Sequence, residues 1–376
     1  MQHFIPKKQV LALAITSLFG AGFGVMQSAH AQVTAAQAQD EKPTSVIVTG
    51  TRMQNRSATN TSAPVDVISA ETLQNLGVSE INQALSVALP SLNFPRPGLT
   101  DGTDTIRPAT LRGLGPDQTL VLVNSKRRHA SALVNVNGTV GRGAAAVDLN
   151  TIPSAIVKNI EVLRDGASAQ YGSDALSGVI NLRLRENRDG GEVTASYGQR
   201  ITEYDFIPGT TPTGATWTAP GTSRSRNDGN TATVSIWKGL SFGETGYVTV
   251  AAELKDQKHT ERGGWDFRQQ YPLVNGSFDP REKDVNRFNA WYGEPDVKQS
   301  TVFLNAGQML EGGAKLYAWS SYQKRDALSA GFFRRALQDQ NIISVYPNGF
   351  LPKIAPQVDD YSATAGISWT AGLWDM

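Results

Sequence analysis

The sequence contains no cysteine and only four histidines in 376 residues. The missing cysteine excludes disulfide frameworks, cysteine-ligated metal sites and cysteine nucleophiles. Lysine plus arginine (35) nearly equals aspartate plus glutamate (34), which argues against a nucleic-acid partner, because such proteins normally carry a basic excess. After the N-terminal segment no run of about 18 apolar residues occurs, so no internal transmembrane helix is expected. The remaining profile, polar and rich in Gly, Thr, Ser and Asn, suits either a soluble β-rich domain or an outer-membrane barrel.

Residues 1–31 have the pattern of a secretory signal peptide. Lys7 and Lys8 form a positive start, Val10 to Val25 is mostly apolar, and Ala29-His30-Ala31 is a small-x-small cleavage site. An uncleaved anchor is the alternative, but the apolar stretch is short for a span of about 20 residues. Export with cleavage is therefore expected.

Few residues suited to catalysis or metal binding would remain after cleavage. Only His129 and His259 lie beyond the expected signal peptide. A histidine-rich metal site or a Ser-His-Asp enzyme is therefore poorly supported. We expect no metal, no cofactor and no enzymatic activity.

Residues 32–52 are expected to be a flexible leader that ends in a short extended segment. Gln32 to Ser45 lacks apolar periodicity. Val46-Ile47-Val48 then places three β-branched residues in a row. This run predicts either a short core strand or a strand offered to a partner, whose main chain would pair with it by β-augmentation.

Residues 53–190 predict one α+β domain of ordinary size. Ser69 and Ser79 are expected to cap two short helices, Phe94 to Asp104 is expected to be a loop, and Pro153 is expected to open a third short helix. Three apolar runs predict strands: Thr119 to Val123, Ile160 to Leu163, and Val179 to Arg185. The basic cluster Lys126 to His129 fits a solvated loop face better than a phosphate-binding patch.

Several motifs resemble those of TonB-dependent outer-membrane receptors. Val46 to Arg52 resembles the TonB box region, and Leu111-Arg112-Gly113 followed by the strand Thr119 to Val123 resembles the Arg-Gly motif of the plug domain. Ile160 to Arg164, Ala167 to Gly172 and Gly178 to Asn181 resemble, in order, the most recognisable plug segment. One departure is Asn124-Ser125, where Asp-Gly is usual in the family. Since serine tolerates a positive φ poorly, this hairpin turn is expected to be looser.

Residues 191–376 predict part of a transmembrane barrel. In six segments apolar residues alternate with polar ones. The connections between these segments are alternately short turns and long loops, as in outer-membrane barrels. The segments are Glu192 to Gly198, Thr231 to Trp237, Tyr247 to Lys255, Ser300 to Gln308, Lys315 to Lys324, and Tyr361 to Trp369. The aromatic residues expected at the membrane interfaces are Trp237, Tyr247, Tyr317, Trp319 and Trp369. A soluble β-sandwich can show similar alternation, but the position after a plug favours the barrel.

The expected fold is therefore an incomplete all-β transmembrane barrel of about six antiparallel strands, preceded by an α+β plug. A plugged transporter barrel has about 22 strands, so the sequence is expected to be the N-terminal part of a longer receptor. A short natural barrel is the competing interpretation, and it would have no room for the plug.

The resemblance implies energised uptake of a scarce solute across the outer membrane of a Gram-negative cell. The solute would be an iron chelate such as a siderophore, cobalamin, or an oligosaccharide. TonB and its inner-membrane energising complex would be the partners, along with outer-membrane lipid. TonB would bind the box residues Ser45, Val46, Ile47, Val48, Thr49 and Gly50. A passive porin or an adhesin-type barrel with an inert N-terminal domain is the alternative function, and a hydrolase is a weaker one.

Analogy with plug apices gives a set of ligand-facing candidates. They are Asp101, Asp104, Arg112, Arg127, Arg128, His129, Asn135 and Asn137. Ion pairing between plug and barrel, or simple solvation, is the competing role for each of them. Trp265 and Trp291, in a long outer loop, are expected either to stack on a sugar or an aromatic chelator or to anchor the loop.

Overall fold

The computed structural model describes residues 65–75, 80–94, 96–136, 138–139, 141–207, 209–371 and 374–375. The expected signal peptide, leader and TonB box lie outside these described residues. No helix within the described ranges is both long enough and apolar enough to cross a membrane.

The first part of the described chain is a small mixed domain, called the plug here. Its helices are α1 (Ala70–Asn75), α2 (Ile81–Ala88) and α3 (Ser168–Tyr171). Its strands are β1 (Val65–Ser69), β2 (Leu92–Asn93), β3 (Thr110–Leu111), β4 (Thr119–Val123), β5 (Lys126–Arg127), β6 (Val157–Leu163) and β7 (Gly178–Leu184). Short 3-10 turns occupy Thr103–Thr105, Pro116–Gln118, Leu149–Thr151, Ser154–Ile156 and Ser173–Ala175.

Local sequence explains the ends of these helices. Ser69 Oγ accepts a hydrogen bond from Thr72 N at 3.1 Å, which confirms the predicted cap of α1. The N-cap of α2 is Glu80, whose side chain makes no capping bond, while Ser79 lies outside the described residues. The helix expected after Pro153 is a single 3-10 turn, Ser154–Ile156.

The plug is built on a five-stranded sheet in the order β1-β6-β7-β4-β5. β4 and β7 run parallel, whereas the other neighbours are antiparallel. Ile160, Val162, Ile180 and Leu182 of the two central strands are fully buried. The α2 residue Leu85 belongs to the same core, so apolar burial holds the helix on the sheet.

The second part is an antiparallel sheet, called the barrel sheet here. Its six long strands are β8 (Gly191–Asp205), β9 (Ser223–Phe242), β10 (Gly246–Gln257), β11 (Asp296–Met309), β12 (Lys315–Ala330) and β14 (Gln357–Ser368). The small elements are β13 (Lys353–Ile354), β15 (Thr370–Ala371), β16 (Trp374–Asp375) and a 3-10 turn, Pro280–Lys283. Each long strand pairs with the next in chain order, and β13 pairs with the end of β12. The predicted six strands and the alternation of short turns with long loops are confirmed.

All six strands are longer than the apolar–polar alternation predicted. A long loop was expected between the predicted segments Glu192 to Gly198 and Thr231 to Trp237, but β8 continues to Asp205 and β9 starts at Ser223. That prediction was wrong because alternation marks only the part of a strand with one apolar side. Beyond that part both faces are polar, yet the main-chain ladder continues: Arg224 pairs with Tyr204 and Arg226 with Thr202.

The two faces of the barrel sheet have different surroundings. Val234, Ile236, Leu254 and Val302 point away from the plug and are between 44% and 60% exposed. Trp237, Ala251, Phe303 and Trp319 point the other way and join the plug core. An exposed apolar face backed by a filled interior is the arrangement of an outer-membrane barrel wall.

The prediction of the interface aromatics is wrong for four of its five residues. Trp237, Tyr247 and Trp319 are buried on the plug side, and Lys126 of the plug lies 5.3 Å from the centroid of the Tyr317 ring. A plug that fills the interior makes the inner wall partly apolar, so alternation alone cannot show which side faces lipid. The outward aromatic residues of these strands include Tyr322 and Tyr361, which are direct cross-strand partners.

Candidate functional site at the plug–barrel interface

Long polar side chains of the barrel sheet reach the plug from inward-facing positions. Gln299, Gln323 and Arg325 are at most 5% exposed, because their positions alternate with outward residues along β11 and β12. Gln299 Nε2 and Gln323 Nε2 both donate to the carbonyl oxygen of Asn150, at 3.1 and 2.6 Å. The barrel wall is therefore hydrogen-bonded directly to the main chain of the plug.

Arg325 is the centre of the first ionic contact. Its Nη1 lies 2.5 Å from Asp148 Oδ2 and donates to Thr105 O at 2.9 Å. Its Nε and Nη2 donate to the side-chain oxygens of Gln299 and Gln323 at 3.1 and 2.9 Å. A guanidinium satisfied in this way is fixed in one orientation.

Asp148 connects that contact to the plug backbone. Its Oδ1 accepts from Asn150 N and from Arg107 N, both at 3.0 Å, so it caps the 3-10 turn Leu149–Thr151. The carboxylate therefore holds two plug segments and one barrel strand together.

Arg128 makes the second ionic contact, between the plug and β14. Its Nη2 lies 2.5 Å from Asp360 Oδ1, and its Nη1 donates to the hydroxyls of Ser321 and Ser362. His129 Nε2 is 2.7 Å from Asp360 Oδ2. Burial lowers the pKa of Arg128 despite the nearby Asp360 charge. For Arg128 the structure therefore supports the competing role, ion pairing between plug and barrel.

Glu80 forms the third contact, which sequence reasoning missed. Its carboxylate pairs with Arg96 at 2.7 Å, with Arg107 at 3.3 Å, and with Lys255 of β10. Burial alone would raise the pKa of Glu80, but the three cations hold it well below its usual range. Arg96 also lies 2.5 Å from Glu294 of an outer loop, so the plug, β10 and that loop share one charged cluster.

The remaining ligand-facing candidates are scattered. Arg112 and Arg127 are half exposed and pair within the plug, Arg112 with Asp165 at 3.3 Å and Arg127 with Asp174. Asp101 is exposed. Asn135 is buried, and its side-chain amide has no hydrogen-bond partner among the described residues. Asn137 and the box residues 45–50 lie outside the described part.

The hairpin that carries Arg127 lies at the short-turn end of the barrel sheet. Asn124 Nδ2 donates to Asn305 Oδ1 at 3.3 Å, four residues before β11 ends at Met309. Asp104 lies elsewhere in the plug, where its 3-10 turn contacts β12. The structure therefore does not bring these candidates together into one pocket.

Asp104 gives a prediction about pH. Burial raises its pKa to about 6, and its Oδ1 has no partner in the described part of the chain. The folded chain therefore binds this proton more tightly than the unfolded chain, so stability falls as pH rises from about 4 to above 6. We expect Asp104→Asn to raise stability near pH 7.5 by up to about 3 kcal/mol and to flatten that dependence. Thermal unfolding in detergent across this pH range measures both effects, and a lower stability near pH 7.5 would contradict the assignment.

The two outer-loop tryptophans are structural anchors. Trp265 is buried in a loop core with Phe206 and Trp217. Trp291 is also buried, with the His259 ring centroid 3.8 Å from its own and Lys353 Nζ at 3.3 Å. Of their two expected roles, loop anchoring is the one supported. No cluster of side chains suited to a metal ion occurs among the described residues.

A family comparison identifies the small mixed domain. Residues 57–179 match the family model of the TonB-dependent receptor plug domain. In this segment the chain carries a plug domain of the TonB-dependent receptor kind. Proteins of this family are receptors and transporters of the outer membrane rather than enzymes.

Two solved receptor structures share this fold, and a third is a weaker match. Two mutant forms of the ferric enterobactin receptor of Pseudomonas aeruginosa, one of them in complex with enterobactin, match with TM-scores of 0.50 and 0.52 at 16% sequence identity. Each match covers 83% of this chain and 39% of that chain. The ferric-catecholate import receptor Fiu of K12 E. coli matches at 12% identity with a TM-score of 0.41, over 83% of this chain and 44% of that one. The chain thus spans about two fifths of the length of the Pseudomonas receptor.

Proposed function

We propose that this chain is the plug-bearing part of an outer-membrane receptor that takes up a scarce solute with energy delivered through TonB. The observation that carries the proposal is the set of three buried ionic contacts between plug and barrel sheet, centred on Arg325, Arg128 and Glu80. They explain why passage would need an external source of work.

The strength of these contacts favours opening of the plug by an applied force over spontaneous opening. Removing one partner of a buried ion pair costs about 3–5 kcal/mol, because the other charge stays buried and unpaired. Movement of the plug relative to the barrel wall would leave such charges unpaired until water reaches them, so each of the three contacts adds to the barrier against opening. A plug held in this way would block passive flow until force is applied.

The force would enter through Val46 to Thr49. A TonB strand would pair with this segment by main-chain hydrogen bonds, and pulling would be transmitted to β1 and then to β6, with which β1 is paired over five residues. The Asp148 and Glu80 contacts lie on the loops and helix that pack on this sheet, so they would yield in turn.

Val48→Pro tests this mechanism. Proline lacks the N–H that the ladder needs, so we expect energised uptake to be lost while surface binding of the solute is kept. Growth or radiolabel uptake that depends on the transported solute, measured in the full receptor, gives the first readout, and binding to whole cells gives the second.

Val33→Pro is the matched control, because it places proline at another valine of the leader, outside the box. It should leave uptake unchanged. Full energised uptake by Val48→Pro would contradict the pairing mechanism, and uptake that survives dissipation of the proton gradient would favour a passive porin.

A further inference from the structure

The outer loops contain a cavity that is separate from the plug–barrel interface. It has a volume of about 600 Å³, and all its lining residues lie between positions 271 and 349, in the loops that follow β10 and β12. The lining combines aromatic side chains, amides and charges: Tyr271, Phe288, Phe333, Asn289, Asn348 and Arg281. We call it the loop pocket.

The walls of the loop pocket are held in place by buried contacts. Glu282 is 1% exposed, and its Oε1 accepts from the backbone N of Gln270 and of Tyr271 at 2.8 and 2.9 Å. Arg287 lies 2.5 Å from Glu282 and places its Cζ 4.3 Å from the ring centroid of Trp217. The Tyr271 wall is thus built into a packed loop core, which lowers the ordering cost of binding a ligand.

The charge of the loop pocket disfavours an anionic ligand. Arg281 is the cation of the lining, and its guanidinium is held by Asp279 at 2.7 Å. Asp284 also lines the cavity. The charged lining residues Arg281 and Asp284 sum to zero, and Asp279, beside the pocket, neutralises Arg281 further, so an anionic iron chelate would meet no net attraction.

The chemistry of the lining instead matches a neutral, hydroxyl-rich ligand. Phe333 is a half-buried aromatic residue of the lining, and apolar ring surface suits the C–H side of a sugar. Phe288 also lines the cavity, and Arg224 Cζ lies 4.2 Å from its ring centroid. The amides of Asn289 and Asn348 supply donors and acceptors that hydroxyl groups can match. Tyr271 Oη donates to Asn348 Oδ1 at 3.1 Å, which orients that amide so that its N–H donors remain for a ligand.

We infer that the loop pocket binds a neutral oligosaccharide of about two or three rings, a size suited to a cavity of this volume. The inference rests on the proposed uptake function in one respect, since it names the class of solute. It stands apart from TonB coupling, because the pocket and the box share no residues.

Binding by the full-length receptor in detergent tests the inference. The probes are short neutral oligosaccharides of glucose, xylose and N-acetylglucosamine, with a ferric tris-catecholate as the anionic comparison, measured by calorimetry. At least one neutral probe should bind more tightly than about 1 mM. Phe333→Ala and Asn348→Ala should each weaken that binding about tenfold, the effect of losing one apolar contact or one hydrogen bond.

Phe332→Ala is the matched control. Phe332 is the adjacent phenylalanine, 59% exposed, and it does not line the pocket. Its variant should bind like the parent. The inference is overturned if no neutral probe binds, if the Phe333 and Asn348 variants bind normally, or if the tris-catecholate binds and loses affinity in the Phe333 variant.

The outcomes separate this inference from the proposed function. Uptake that depends on Val48 without any oligosaccharide binding would overturn the loop-pocket assignment and leave the uptake function. Oligosaccharide binding that depends on Phe333, combined with uptake insensitive to Val48→Pro, would support the pocket and overturn energised uptake.

Discussion

Arg325→Met should lower the free energy of unfolding by about 3–5 kcal/mol, because it leaves the buried Asp148 carboxylate without its cation. Asp148 is 4% exposed and Arg325 is 1% exposed, so water cannot replace the lost partner. Thr105 O, Gln299 and Gln323 lose a donor at the same time. The plug should then detach from β12 more readily. Thermal unfolding in detergent and the rate of protease cleavage within the plug both report this change.

Two further variants decide whether the charge or the side-chain volume matters. Lys324→Met changes the adjacent, exposed cation on the outward side of β12, and it should have an effect below about 1 kcal/mol. Adding Asp148→Asn to Arg325→Met removes the uncompensated charge. The side-chain oxygen of the asparagine can still accept hydrogen bonds from the backbone N of Asn150 and of Arg107. That double variant should recover much of the loss. If the Arg325→Met receptor were as stable as the Lys324→Met receptor, the ionic contact between Arg325 and Asp148 would not stabilise the plug in the barrel.

The order of elements could be predicted from sequence because it depends on local signals. The strand Thr119–Val123 was predicted at the residues where it is found, since an uninterrupted apolar run between turn residues has few alternatives. β10 was predicted within two residues of its ends, and Val248, Val250 and Ala252 share one face as expected. Tyr247, on the opposite face, was wrongly expected at the membrane interface.

The partners of the charged side chains could not be predicted in the same way. Glu80 and Lys255 are 175 positions apart, and nothing near either residue indicates the other. The only local sign was a lysine at an inward position of β10, where a buried charge requires a counter-charge. Asp360, the partner of Arg128, lies 232 positions from it, so the basic cluster 126–129 was interpreted as a solvated face.

The hairpin turn shows how side chains compensate for an unfavourable residue. Asn124 and Ser125 both adopt positive φ, 46° and 64°, as a two-residue turn requires. Asn124 Oδ1 accepts from Leu184 N at 2.9 Å, and Ser125 N donates to Asn181 Oδ1 at 3.0 Å. The turn was expected to be loose because of its serine, but β7 supports it from the side through these two bonds.

Gly178, the first residue of β7, should be the glycine most sensitive to substitution among those in the plug motifs that resemble the TonB-dependent receptors. Gly178 has φ +143°, and an added Cβ would lie 2.5 Å from Leu111 Cδ2 and overlap the carbonyl oxygen of Leu163. Because β6 and the Arg-Gly segment meet at this point, Gly178→Ala must displace main chain rather than a flexible side chain. We expect a loss of about 3 kcal/mol or more, the sum of backbone strain and overpacking.

Gly113→Ala separates these two causes. Gly113 has φ +75° with no atom within 4 Å of the added Cβ, so only backbone strain of about 1–2 kcal/mol is expected. Thermal unfolding in detergent and protease resistance of the plug should therefore rank the parent above Gly113→Ala, and Gly113→Ala above Gly178→Ala. Equal losses in the two variants would mean that the close approach of β6, β7 and Leu111 adds nothing to the requirement for glycine.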